Sequence, residues 1–98
     1  MSTAIETAAA RLTAAGYEVK IRNNQDAGGY WATGTAFSAR QGSKIVTATP
    51  MRDGAASVAM FIDYGDWGRT YCDSAELKSA AGIVRRAAAF LGAVKVAA

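Results

Sequence analysis

Lys44-Ile45-Val46-Thr47-Ala48-Thr49-Pro50-Met51-Arg52-Asp53-Gly54-Ala55-Ala56-Ser57-Val58-Ala59-Met60-Phe61-Ile62-Asp63-Tyr64 is the stretch that decides the fold. Lys44 to Thr49 reads as a strand that Pro50 closes or confines to an edge, because proline cannot donate to a ladder. Arg52-Asp53-Gly54 is a turn, and Asp-Gly is a strong local hairpin cue. Ala55 to Tyr64 is the returning strand. Val58, Met60 and Ile62 alternate there with Ser57, Ala59 and Phe61, and two largely apolar faces place this strand inside a sheet. With no helix between them, the two strands pair antiparallel.

Moving outward, Gln41-Gly42 turns the chain back into a strand from Tyr30 to Ala39. Trp31, Thr33, Thr35 and Phe37 share one of its faces, and Tyr30, Ala32, Gly34, Ala36 and Ser38 share the other. Asn23 to Gly29 is turn material. Before it, Tyr17-Glu18-Val19-Lys20-Ile21-Arg22 alternates as a half-buried strand with Tyr17, Val19 and Ile21 inward. On the other side, Gly65-Asp66 leads into Trp67 to Cys72, which reads as a short fifth strand or as a loop.

The ends of the chain change character. Residues 3 to 15 and 74 to 94 are alanine-rich, and the segment between them holds eight of the nine aromatic residues and the one proline. The first helix is expected from Ser2 or Thr3, either of which can cap it, to Ala15. Glu6 sits in its first turn, Ile5, Ala8, Ala9 and Leu12 form its buried stripe, and Gly16 stops it. The second helix is expected to start at Asp73, with Glu76 completing a capping box. Leu77, Ala80, Ala81, Ile83, Val84, Ala87, Ala88, Leu91 and Val94 form its apolar arc, and Gly82 falls on its solvent side. The expected fold is α+β. It is a two-layer α/β sandwich, an antiparallel meander of four to five strands with N- and C-terminal helices on one face (α-β-β-β-β-α).

The 98 residues fit one domain with a modest core, since much of the 51% hydrophobic content is alanine. Large residues must then carry the packing, and Ile5, Leu12, Val19, Ile21, Trp31, Phe37, Ile45, Val46, Val58, Phe61, Ile62, Leu77, Val84, Phe90 and Leu91 are the expected core. The net charge of +3 permits a polyanionic partner without demanding one. Histidine is absent, which removes the commonest general base and metal ligand. The single cysteine, Cys72, cannot form an internal disulfide or complete a Cys/His zinc site, and it reads as a small buried apolar residue. A reducing, cytoplasmic setting follows, with no membrane span. No catalytic, cofactor or metal signature stands in the chain, and the expectation is a protein that is not an enzyme. Asp63 and Asp66 alone make a poor cation site, and the glycines form no phosphate loop, since none precedes a Lys-Ser/Thr pair opening a helix.

The densest group of recognition-type residues is Asp63 to Tyr71. Tyr64, Asp66, Trp67, Arg69 and Tyr71 are the candidate partner-binding residues, because Trp, Tyr and Arg combine large area with a polar tip. The competing reading is that Trp67 and Tyr71 fold back over the core edge beneath the second helix. Tyr30 and Trp31, with Lys20, Arg22, Arg40 and Lys44, form a second candidate, a face on which single-stranded nucleic acid could stack. Lys78, Arg85 and Arg86 form a third, a basic flank on the second helix where Lys78 and Arg85, two turns apart, could hold adjacent phosphates. The order α-β-β-β-α with a basic second helix resembles the double-stranded RNA-binding domain in outline over about two thirds of the chain. The chain departs from that family in its extra strand, in its scattered basic residues and in lacking a histidine-bearing loop, so no residue is carried over.

The leading expectation is a non-enzymatic binding protein acting through protein–protein contact. In size and plainness it is similar to phage or mobile-element inhibitors of host machines, such as anti-CRISPR proteins. An uncovered sheet face or edge also permits a homodimer. The alternative is a nucleic-acid-binding domain that uses the basic helix flank or the aromatic sheet face.

Overall fold

Eleven residues of helix, five strands and a second helix follow one another without crossing. They are α1 (Ala4–Ala14), β1 (Glu18–Asn24), β2 (Gly34–Gln41), β3 (Lys44–Pro50), β4 (Ala56–Asp63), β5 (Arg69–Leu77) and α2 (Ala80–Leu91). The structure is a computed structural model and describes residues 3–25 and 28–94. Ser2, the alternative cap for α1, and Asp26-Ala27 of the first loop lie outside the described residues.

The strands form one sheet in the order β1-β2-β3-β4-β5, every neighbouring pair antiparallel. The expected α+β meander is therefore the observed fold, with five strands. The hairpin at its centre is the one the Asp-Gly pair indicates: Met51 N–H donates to Ala55 O at 2.9 Å and Gly54 N–H to Met51 O at 3.1 Å. Asp53 Oδ1 accepts from Ala55 N–H at 2.9 Å. Pro50 ends β3, and its free carbonyl accepts from Ala32 N–H at 3.0 Å.

One sheet face carries the core. Phe37, Ala48 and Val58 lie side by side across β2, β3 and β4, followed by Ala39, Val46 and Met60 in the next row. Both helices cover these rows with Ile5, Ala8, Ala9 and Leu12 of α1 and Ile83, Ala87 and Leu91 of α2. Alanine on each helix lets backbones approach, while Phe37, Leu12, Ile83, Val46 and Val58 supply the fully buried bulk. Among the described residues no polar side chain is buried, so packing and backbone pairing hold the core.

Local signals set the ends of α1. Thr3 caps it in a reciprocal box with Glu6, each side chain accepting from the other's backbone N–H at 3.1 Å. That hydrogen bonding holds the Glu6 carboxyl below its ordinary pKa. At the far end of the domain, Gln41 Nε2 donates to the carbonyls of Leu91 (2.7 Å), Gly92 (3.1 Å) and Ala93 (2.9 Å), and Tyr17 Oη donates to Gly92 O at 2.6 Å. The orphan carbonyls ending α2 are thereby tied to the sheet.

Several expectations are corrected. Residues 73–77 do not open α2; they complete β5, where Ala75 faces Val58 and Leu77 faces Ala56. The pairing occupies the edge of β4, and the helix waits for Ser79, whose hydroxyl accepts from Gly82 N–H at 3.0 Å. Gly82 is thereby explained, since a Cβ there would stand 3.0 Å from Ser79 Oγ. Asn23 and Asn24 belong to β1 rather than to the following turn, while Tyr30 to Thr33 stand before β2, joined only by a bridge from Trp31 to Met51. Ile21 and Trp31 are not core; both are exposed at the end of the sheet the helices leave uncovered. Cys72 is exposed as well, because it is the extra residue of a bulge that breaks the register between Met60–Asp73 and Phe61–Tyr71.

Candidate functional site

The chain between β4 and β5 is five residues long, and its backbone is fully organised. Tyr64 N–H donates to Gly68 O at 2.8 Å, and Gly68 N–H donates to Gly65 O at 3.0 Å. Gly65–Trp67 form a single 3-10 turn. Asp63 Oδ1 accepts from Gly65 N–H, at the first residue of that turn, at 2.9 Å. Gly65 (φ 68°) and Gly68 (φ 89°, ψ −157°) occupy backbone regions that side-chain-bearing residues rarely enter. Together these features hold the turn in one shape and turn the indole of Trp67 outward.

Trp67 is 92% exposed, so it does not fold beneath α2. Tyr64 (53%) and Tyr71 (58%) are also largely open. Tyr64, Asp66 and Trp67 share one turn, and Arg69 stands at its far base opposite Asp63. Tyr71 lies on the open sheet face, edge-on to Phe61 with ring centroids 6.0 Å apart, and its hydroxyl donates to Ser74 Oγ at 2.8 Å. The bulge at Cys72 is what brings Tyr71 to that face. Tyr64, Asp66 and Trp67 thus stand at the hairpin tip, with Arg69 and Tyr71 following on β5.

Electrostatics steady the base of the hairpin. Asp63 Oδ2 pairs with Arg40 Nη2 at 2.9 Å, and Arg40 Nε donates to Gly42 O at 2.9 Å. The Gly65 amide, then Arg40 and Arg69, hold the Asp63 carboxyl below the usual aspartate range. It therefore stays ionised and keeps its hold on both the turn and β2.

The other candidates are placed differently. Arg86 Nη2 pairs with Asp73 Oδ2 at 2.7 Å, which ties α2 to β5. Lys78 precedes the Ser79 cap and is not on the helix, so the eclipsed spacing expected of Lys78 and Arg85 does not exist. Tyr30 is 78% exposed and Trp31 40%, at the opposite end of the sheet from Trp67. Lys44 leaves the open face altogether, its ammonium standing 5.7 Å from the Phe90 ring centroid on the helix side. Lys20, Arg22 and Arg40 do share the open face, and Arg22 reaches Thr49 Oγ1 at 3.3 Å across Ala36. Gln41 had no functional signal in the sequence, where it reads only as a turn residue.

Among the described residues there is no group of three or more His, Cys, Asp or Glu able to hold a metal ion. No helix among them is long and apolar enough to cross a membrane. Comparisons with protein-family models, with curated proteins and with solved structures found no match.

Proposed function

We propose that this is a non-enzymatic binding protein that engages a protein partner through the β4–β5 hairpin, with Trp67 as the anchor. The observation that carries the reading is the 92% exposure of Trp67 on a turn whose backbone is already hydrogen-bonded into place. Folding leaves nearly all of that indole wet. Burying a tryptophan, about 150–250 Å², releases on the order of 4–6 kcal/mol of hydrophobic free energy, and here only a partner can collect it. A preordered tip also lowers the entropy lost on docking. Tyr64 and Tyr71 would extend the apolar contact, and Asp66 and Arg69 would fix its orientation at the rim.

The finer reading carries over from the sequence: a small cytoplasmic inhibitor of a host machine, of the phage or mobile-element kind. A rigid wedge on a small domain suits such a role, since it can occupy a cleft on a larger protein. The test is affinity capture from a nuclease-treated lysate of the native host. A partner retained by the wild type and by Arg85→Ala/Arg86→Ala, and lost by a folded Trp67→Ala, supports the reading; capture indifferent to Trp67 overturns it.

A further inference from the structure

The open face of the sheet holds a second feature, which shares Arg69 with the base of the hairpin. Glu18 and Lys20 of β1, Ser38 and Arg40 of β2, Ile45 of β3 and Arg69 of β5 line one concavity of about 130 Å³. Ile45 is its floor; although it points away from the helices it is only 3% exposed, because the longer side chains close over it. Four strands contribute, so the lining comes from both sides of Ile45: Lys20 and Ser38 from the β1–β2 side, Arg69 from the β5 edge.

Three cations face one carboxylate around this floor. Arg40 is already committed to Asp63 and to Gly42 O. The side chains of Lys20 and Arg69 have no hydrogen-bond or ion-pair partner among the described residues, although the Arg69 charge helps to lower the Asp63 pKa. Glu18 lies across from Arg40 in the register, yet no ion pair joins them. The concavity is therefore lined by two cationic side chains outside any hydrogen bond or ion pair among the described residues, and by a hydroxyl. Donors on both sides of a floor suit a tetrahedral oxyanion, whose oxygens point several ways, better than a planar carboxylate. Because Glu18 and Asp63 are close by, the charge balance suits one phosphoryl group and not a cluster of them.

We propose that this concavity is a site for a single phosphoryl group, held by Lys20 and Arg69 with Ser38 as the neutral donor and Arg40 as the braced wall. The group comes either from a free phosphate compound or from one phosphodiester of a single-stranded nucleic acid, and the two sources separate experimentally. The site shares Arg69 with the hairpin reading, and the two separate through Trp67 and Lys20: Trp67→Ala leaves every lining residue in place, and Lys20→Gln leaves the hairpin in place.

The test is an amide and arginine-side-chain NMR titration with inorganic phosphate, with ionic strength held constant by sodium chloride. Saturable shifts are expected at Ser38, Ile45 and the Arg69 Nε–H. Lys20→Gln and Arg69→Gln, both surface changes, should each weaken binding at least fivefold, while Arg11→Gln on the far helix should not. A ten-residue oligothymidine that shifts the same resonances, more tightly per phosphate and with the same dependence on Lys20 and Arg69, identifies the phosphodiester as the source; no such gain identifies the free compound. Linear shifts without saturation, or binding that survives both glutamine variants, overturn the site.

Discussion

Gly68→Ala tests whether the hairpin tip is held in shape by its backbone. At φ 89° and ψ −157° residue 68 sits where a Cβ collides with its own carbonyl neighbours, a conformation open essentially to glycine alone. The variant has two ways to respond. It can keep the turn and store the strain, about 1–3 kcal/mol. It can instead open the turn and lose the Tyr64–Gly68 and Gly68–Gly65 backbone hydrogen bonds, at about 0.5–1.5 kcal/mol each. Both routes give a loss of about 1–3 kcal/mol. For a domain of this size each kcal/mol lowers the melting temperature by roughly 4–8 °C. Urea unfolding followed by circular dichroism reads the difference, with Gly28→Ala as the matched control. Gly28 has no positive φ, and a Cβ there meets nothing within 4 Å, so that change should be neutral or slightly stabilising. If Gly68→Ala comes within about 0.3 kcal/mol of the wild type, the tip is not conformationally fixed and the argument for a preordered wedge fails.

Three further outcomes follow from the packing and the charges. Ser79→Ala should cost about 1 kcal/mol through the lost cap, while Asp73→Ala, which removes an exposed ion pair and an exposed local hydrogen bond from Ser74 N–H, should cost less; denaturation curves in the reverse order would mean that α2 starts at Asp73 after all. Gln41→Met should cost about 1–3 kcal/mol and speed amide exchange in the last turn of α2, because the carbonyls of Leu91 and Ala93 lose their donor; unchanged exchange would show that the Gln41 bonds hold nothing. The folded-state pKa of Asp63 is depressed, so its contribution is fully present above the unfolded aspartate pKa and fades as pH falls through the folded value. The urea midpoint of Asp63→Asn should therefore fall less than that of the wild type between about pH 4 and pH 2, and parallel curves would contradict the assigned partners.

The hairpin at residues 44–63 was legible because its signals agree: alternation on both sides, Asp-Gly between, and proline where β3 ends. α1 was legible for a similar reason, with Thr3, Glu6 and the Ile5–Leu12 stripe giving one consistent helix. The start of α2 was not, because Asp73-Ser74-Ala75-Glu76-Leu77 satisfies a helical capping pattern and a strand alternation at once. What decides is non-local: β4 has an unpaired edge that only this segment can fill, and Ser79 supplies a second cap just beyond it. Cys72 and Tyr71 were misjudged or left open because a bulge resets which residues face which way, and a bulge leaves no mark on composition. The tip itself was visible as a cluster of Tyr, Trp and Arg between glycines, but exposure depends on where the helices stop, which a sequence does not state. The concavity over Ile45 was least visible of all, since Lys20, Arg40 and Arg69 become neighbours only through pairing across the sheet.

The most direct test of the account is the stability and the binding of Trp67→Ala measured side by side on the same preparation. With so little of the ring buried, unfolding free energy should change by no more than about 0.5 kcal/mol. Affinity for the captured protein partner should fall by at least about 2 kcal/mol, roughly thirtyfold, as for an interface anchor. A folded Trp67→Ala protein that binds as tightly as the wild type would contradict the central claim, and so would one that fails to fold.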